Sequence, residues 1–229
     1  MTKQKQASHK KTAPRAEEPR RVRRRKFWAL GMLVVAALVV IAVEVWPFGR
    51  SHSQTIANPD APLASFFRPE VLYWRDEIEG WAREHNVNPN VIAIVIQIES
   101  CGNPNAISNA GALGLMQVMP FHFQNGENMI NPDTNVARGM TVFYECLTQF
   151  AGWDLGTALA CYNGGPSVTQ RPFSSWANET QYYYRWATGL WSDVQNGDET
   201  SDALEDWLAA GGERLCVQAG RSQSVLATG

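Results

Sequence analysis

The apolar–polar pattern of the chain is dominated early by one run, Phe27 to Phe48, 22 residues broken by a single charge at Glu44. At 1.5 Å per residue a helix of that length crosses the hydrocarbon layer of a bilayer. Trp28 and Trp46 place aromatic rings near both interfaces. A cleaved signal peptide is the rival reading. The run is longer than a usual signal core, and no clear small-x-small site comes after it. An uncleaved transmembrane helix is therefore expected over residues 27–48.

After residue 66 the pattern changes to helical spacing. Val71, Trp74, Ile78, Trp81 and Ala82 recur every three or four positions and predict a helix from Pro69 to Glu84. His85 to Pro89 breaks it, with Asn88 placed to cap the next helix. Pro89 to Ser100 is apolar nearly all round, which predicts a helix buried on every side. Gly102 to Pro120 reads as short irregular elements and Phe121 to Ile130 as a loop. A further helix begins at Asn131–Asn135, with Asp133 or Thr134 near its N-cap and Val136, Met140, Val142, Phe143, Leu147 and Phe150 on its apolar face. A shorter one runs from Leu155 to Tyr162 and stops at Asn163-Gly164-Gly165-Pro166. Thr180 to Trp191 predicts an aromatic-rich helix. Beyond Asp193 the chain is polar and acidic, with one short helix expected over Asp202–Ala210 and a frayed end. No internal repeat is present.

Charge divides the chain where the pattern does. The net charge is −2, but residues 1–26 carry eleven Lys/Arg against two Glu, and the remainder carries nine Arg against twenty acids. No Lys occurs after Lys26. Such asymmetry suits a chain lying in two compartments. With basic residues kept on the cytoplasmic side, the C-terminal part lies outside. A nucleic-acid-binding arm at Arg21–Lys26 is the other reading of the basic tail, and the membrane run outweighs it. The expected organisation is a basic cytoplasmic tail (1–26), a transmembrane anchor (27–48), a Ser/Pro/Asn-rich linker (49–65), a helical domain (66–195) and an acidic C-terminal extension (196–229). No nucleic-acid partner is expected.

Glu99 closes the apolar run Val91–Ile96 and precedes the turn residues Cys101-Gly102-Asn103-Pro104. A carboxyl on a buried helix is expected to resist ionisation, which suits a general acid near neutral pH. A second carboxylate would complete an ordinary glycoside hydrolase. Glu127, Asp133 and Glu179 are the nearest candidates, and none has comparable apolar surroundings. Asp133 reads better as a helix cap. His85 and His122 are the only histidines in the domain, and no zinc spacing or phosphate loop is present, so no metal and no cofactor are expected. A Cys–His nucleophile is a further alternative, but nothing places either histidine beside a thiol.

Three ordered blocks resemble the lytic transglycosylases of the soluble (SLT) type. They are Glu99-Ser100 with Asn103-Pro104, Ser108 and Gly111–Pro120; Ala160–Pro166; and Glu179-Thr180 with Tyr183. The resemblance spans about residues 66–191. It implies a mainly α, lysozyme-like domain with a small irregular or β flap lining a cleft. It also implies a peptidoglycan substrate, cut at the β-1,4 bond after N-acetylmuramic acid with formation of a 1,6-anhydro end, with Glu99 as acid and then base. Ser108 and Gln117 would then bond sugar hydroxyls or acetamido groups, and Met119 would pack on a ring. Tyr162 would point at Glu99 or the acetamido group, Asn163 would hold the turn, and Tyr183 would line the groove. A goose-type lysozyme-like hydrolase and a non-catalytic glycan-binding scaffold are the alternatives.

Cys101, Cys146, Cys161 and Cys216 all fall on the expected outer side, where two disulfides can form. Three pairings are open, and buried free thiols are the alternative. A Cys101–Cys161 bond would brace the cleft walls.

Overall fold

The computed structural model describes residues 56–226. The basic tail and the apolar run over 27–48 lie outside the described residues, and among the described residues no helix is long and apolar enough to cross a membrane. The helices, in chain order, are α1 (Pro69–Leu72), α2 (Arg75–His85), α3 (Pro89–Ser100), α4 (Pro132–Glu145), α5 (Leu155–Gly164), α6 (Asn178–Asn196), α7 (Asp202–Trp207) and α8 (Glu213–Leu226). The expectation of a mainly α domain holds. The only β pairing among the described residues is a pair of isolated bridges, Ile107 with Leu113 and Leu113 with Val118, inside the segment expected to be a flap.

The helix expected over Pro69–Glu84 is two helices. Tyr73 and Trp74 interrupt it, with Trp74 at φ −94° and ψ 19°. Trp74 turns inward, and its indole N–H donates to the Gly102 carbonyl at 2.8 Å. A polar tip satisfied by a distant backbone outweighs continuity of the helix.

α3 has the expected bounds and lies at the centre of the fold. Asn88 caps it by accepting from the Asn90 amide. Every residue of the helix is buried except Glu99. α6 packs against both α3 and α5, and α2 and α4 also pack together. α4 is capped by Asn131, which accepts from the Thr134 amide, and not by Asp133 or Thr134. Asp133 instead accepts the Trp81 indole N–H at 2.9 Å.

Two further expectations are corrected. The described part of the linker, residues 56–65, is fastened to the domain. Ile56 and Leu63 are buried in the core, the Asn88 amide donates to the Ile56 carbonyl, and Asn90 bonds both the Ala64 amide and the Pro62 carbonyl. Two apolar anchors among the small polar residues help to dock the segment. The C-terminal region does not fray through residue 226. α7 and α8 are joined by a π-helical turn at Leu208–Gly212, and they contribute Leu204, Trp207, Cys216 and Ala219 to the core.

All four cysteines are paired, as Cys101–Cys216 and Cys146–Cys161. The Cys101–Cys161 brace does not form, and there are no free thiols. The first bond ties the end of α3 to α8, and the second ties the end of α4 to α5.

Candidate active site

Glu99 has two tyrosines and a second acid as its titratable neighbours. Burial drives its carboxyl up to about 8, the Tyr183 hydroxyl acts in the opposite sense, and the negative charge of Glu179 adds to the rise. The side chain nevertheless keeps a partial opening to solvent, unlike its helical neighbours. A carboxylic acid that stays protonated at neutral pH and can still be reached is therefore built into α3. Glu179 itself is exposed in the first turn of α6.

Tyr183 projects from α6 and is 3 % exposed. Its hydroxyl is buried and completes no well-aligned hydrogen bond with a protein group. It lies close enough to Glu99 for each to perturb the acidity of the other. Burial, and then the neighbouring acid and Tyr162, push the Tyr183 phenol well above its usual range. Tyr162, near the end of α5, donates its hydroxyl to the Met116 carbonyl at 2.7 Å. Burial and then Glu99 raise its phenol as well. Both tyrosines are thus neutral donors beside the acid.

The flap is positioned from two sides. Ser100, next to Glu99, donates its hydroxyl to the Leu115 carbonyl at 2.7 Å and accepts from the Gly102 amide at 3.1 Å. From α4, the fully buried Asn135 accepts from the Met116 amide at 2.9 Å and donates to the Leu113 and Met129 carbonyls at 2.8 and 2.9 Å. Gly114 lies over this amide at φ +78°, where a Cβ would come within 2.4 Å of Asn135 Nδ2. Only glycine admits both the conformation and the approach.

The other expected site residues are distributed along the flap and α5. Gln117 has φ +50°, and its side-chain NH2 donates to the Ala106 and Gly114 carbonyls at 3.1 and 2.9 Å. Its donors hold the flap, which leaves the amide oxygen for a ligand. The Ser108 hydroxyl accepts from the Ala112 amide at 3.0 Å and retains its proton to donate. Met119 is half-buried just before the turn Pro120–His122. Asn163 is half-buried in the last turn of α5, while the turn itself is made by Gly165 at φ +79°. The structure thus brings Glu99, Tyr162 and Tyr183 together and joins them to the Met116–Gln117 segment through Tyr162. Ser108 and Asn163 have no described contact with Glu99.

Sequence reading missed Asn135, and it named Ser100 without foreseeing its bonds to the flap. A signal for Asn135 existed: it stands four residues before Gly139 and eight before Phe143, on the inward face of α4, where a polar side chain needs partners. The missed contribution of α8 had no local signal.

A partly buried acid flanked by neutral phenols on a mainly helical scaffold defines a class of site suited to proton transfer. Residues 76–184 match the family model described as Transglycosylase SLT domain. It is 33 % identical over 115 residues to a protein named Transglycosylase from Enterobacteria phage PRD1, covering 49 % of this chain and 41 % of the relative. It is 43 % identical over 87 residues to the Endo-type membrane-bound lytic murein transglycosylase A of Salmonella paratyphi B, covering 36 % and 38 %. The chain therefore spans about two fifths of the length of these curated relatives. Among solved structures it is similar to an inactive mutant of the lytic transglycosylase Slt from Pseudomonas aeruginosa, at 21 % identity, TM-score 0.46, over 56 % of this chain and 25 % of that one.

Proposed function

We propose that this protein is a peptidoglycan lytic transglycosylase with a lysozyme-like domain. In this reading it cleaves the β-1,4 bond between N-acetylmuramic acid and N-acetylglucosamine. The observation that carries it is Glu99: one carboxyl held protonated near neutral pH, open to solvent only in part, with two neutral phenols beside it.

The chemistry rests on that protonation state. Glu99 gives its proton to the glycosidic oxygen as the C1–O bond breaks, and the leaving sugar departs with a free hydroxyl. The muramoyl acetamido oxygen steadies the positive charge at C1. Glu99, now a carboxylate in an apolar setting, is a stronger base than an exposed one. It takes the proton from the 6-hydroxyl of the same sugar, whose oxygen closes onto C1 to give the 1,6-anhydro end. Glu99 is left protonated again, and no water is consumed. Ser108, the Gln117 amide oxygen, Met119, Tyr162, Asn163 and Tyr183 are assigned to the glycan groove. The Tyr183 hydroxyl, buried without a well-aligned partner, has a proton to offer a substrate oxygen.

Residues 27–48 are assigned as a single transmembrane anchor holding the domain outside a bacterial membrane, with residues 1–26 in the cytoplasm. Relatives named as membrane-bound support this placement.

One observation favours a second reading. Glu179 is near enough to act on Glu99, and a second carboxylate is what a goose-type hydrolase using water would employ. Digestion of purified sacculi, with product masses read for wild type and Glu99→Gln, decides between the two. Anhydro products from the wild type and none from the variant are expected. Products heavier by one water, with a reducing end, would establish hydrolysis. Undiminished release by Glu99→Gln would remove Glu99 from the chemistry.

A further inference from the structure

The family match ends at residue 184, yet the last helix converges on the turn immediately after Glu99. Cys101 and Gly102 both adopt left-handed backbone, at φ +52° and +86°. For Cys101 that conformation is strained, and strain of this kind persists only where surroundings enforce it. The enforcing groups come largely from α8. Cys216 is bonded to Cys101. Gln223, 7 % exposed, donates from one amide nitrogen to the Gly102 carbonyl at 3.1 Å and to the Glu70 carbonyl at 2.7 Å. Ser222 bonds the Asn105 side chain at 3.0 Å, one step further into the flap. Trp74 supplies the second donor to Gly102. A Cβ on Gly102 would lie 2.3 Å from the Glu70 carbonyl oxygen, so the turn is wedged against α1. On the inner side, Gln97 reaches the sulfurs of Cys101 and Cys216 and accepts from the Arg68 amide.

We infer that Gln223 is a positioning residue of the active site: with the Cys216 bond, it clamps the Cys101–Gly102 turn and thereby fixes both the Glu99 carboxyl and the flap that faces it. The inference rests on Glu99 being the catalytic acid. Neither hydrogen bond of the Gln223 amide goes to Glu99 or to a groove residue. Its two hydrogen bonds are to backbone carbonyls of the turn and of α1, so its influence is geometric. A misplacement of about 1 Å in such a constellation costs about a hundredfold in rate. The C-terminal helix is then a working part of the catalytic domain.

The test is Gln223→Met, which keeps the length of the side chain and removes both donors, made in the full chain. Rates on solubilised glycan strands are measured at several substrate concentrations and across pH, with Glu99→Gln beside it and thermal melting followed for each. A fall in kcat of about tenfold or more, with KM within about twofold, is expected at temperatures well below the melting transition. The alkaline limb of the rate should also move to lower pH, because a displaced Glu99 loses burial among Tyr162, Tyr183 and Glu179. Wild-type kcat and pH profile in a folded Gln223→Met, or a rise in KM alone, overturns the inference. If Gln223→Met shows no cooperative melting, Gln223→Asn, one methylene shorter and still an amide, is read by the same two measurements. Activity retained by Glu99→Gln would instead overturn the reading on which this one rests.

Discussion

Tyr162 joins two parts of the molecule by one bond: its hydroxyl donates to the Met116 carbonyl at 2.7 Å, linking the end of α5 to the flap next to Gln117. Tyr162→Phe removes that donor and leaves a carbonyl short of a partner in a buried setting. A loss of about 1–3 kcal/mol is expected in denaturant unfolding. Release of soluble fragments from sacculi should fall by about tenfold or more, because the flap is no longer registered against the acid.

Glu99 makes two pH dependences. The proposed mechanism needs its acid form for the first step, so the rate should fall as pH rises through about 8. Glu179→Gln removes a negative charge that raises the Glu99 pKa, and should move that limb to lower pH. Stability depends on the same group with a definite sign. The folded value lies above the ordinary 4.5, so between 4.5 and about 8 the native state binds more protons than the unfolded one. The stabilising contribution is whole below about 4.5 and is lost as pH rises through about 8. Each unit is worth ~1.4 kcal/mol, and partial exposure of the side chain trims the total to a few kcal/mol. Glu99→Gln should flatten this slope in urea titrations run from about pH 5 to 9.

Asn135 offers a stability test of the flap. Asn135→Leu removes three hydrogen bonds to Met116, Leu113 and Met129 while keeping the branched shape of the side chain. Unfolding free energy should drop by roughly 3 kcal/mol or more. Gly114→Ala attacks the same contact from the other side, through a left-handed φ and a clash with the Asn135 amide. A loss of more than about 1 kcal/mol is expected, with faster proteolysis within residues 102–120.

The two disulfides close loops of very different size, with separations of 115 residues for Cys101–Cys216 and 15 for Cys146–Cys161. Loop-closure entropy alone assigns about 5 kcal/mol to the first and about 3 to the second. Serine pairs replacing each bond in turn should lower the melting midpoint in that order, as monitored by circular dichroism.

How far the chain could be read in advance depended on where the information lay. α3 was legible because its apolar run, its Asn88 cap and its Pro89 are all local. Glu99 was legible for the same reason: an acid among isoleucines and valines announces its own burial. The break at Trp74 was not legible, because it is set by the Gly102 carbonyl 28 positions away. Nor were the docking of Ile56 and the pairing of Cys216, which depend on surfaces that exist only after the helices have packed. For Gln117 the resemblance implied hydrogen bonds to sugar hydroxyls or acetamido groups, and said nothing of the rest of its amide. Its NH2 is engaged by its own loop, a use dictated by the positive φ that brings it back over Ala106 and Gly114.

The bond between Cys101 and Cys216 also fixes an order of events. Ribosomes make the chain from its N-terminus, so Cys101 waits through 115 further positions before its partner exists. Tyr162, Glu179 and Tyr183, which surround Glu99, are all made before Cys216, so the knot behind them is tied only after those surroundings exist. A nascent or prematurely terminated chain would carry the acid without its lock.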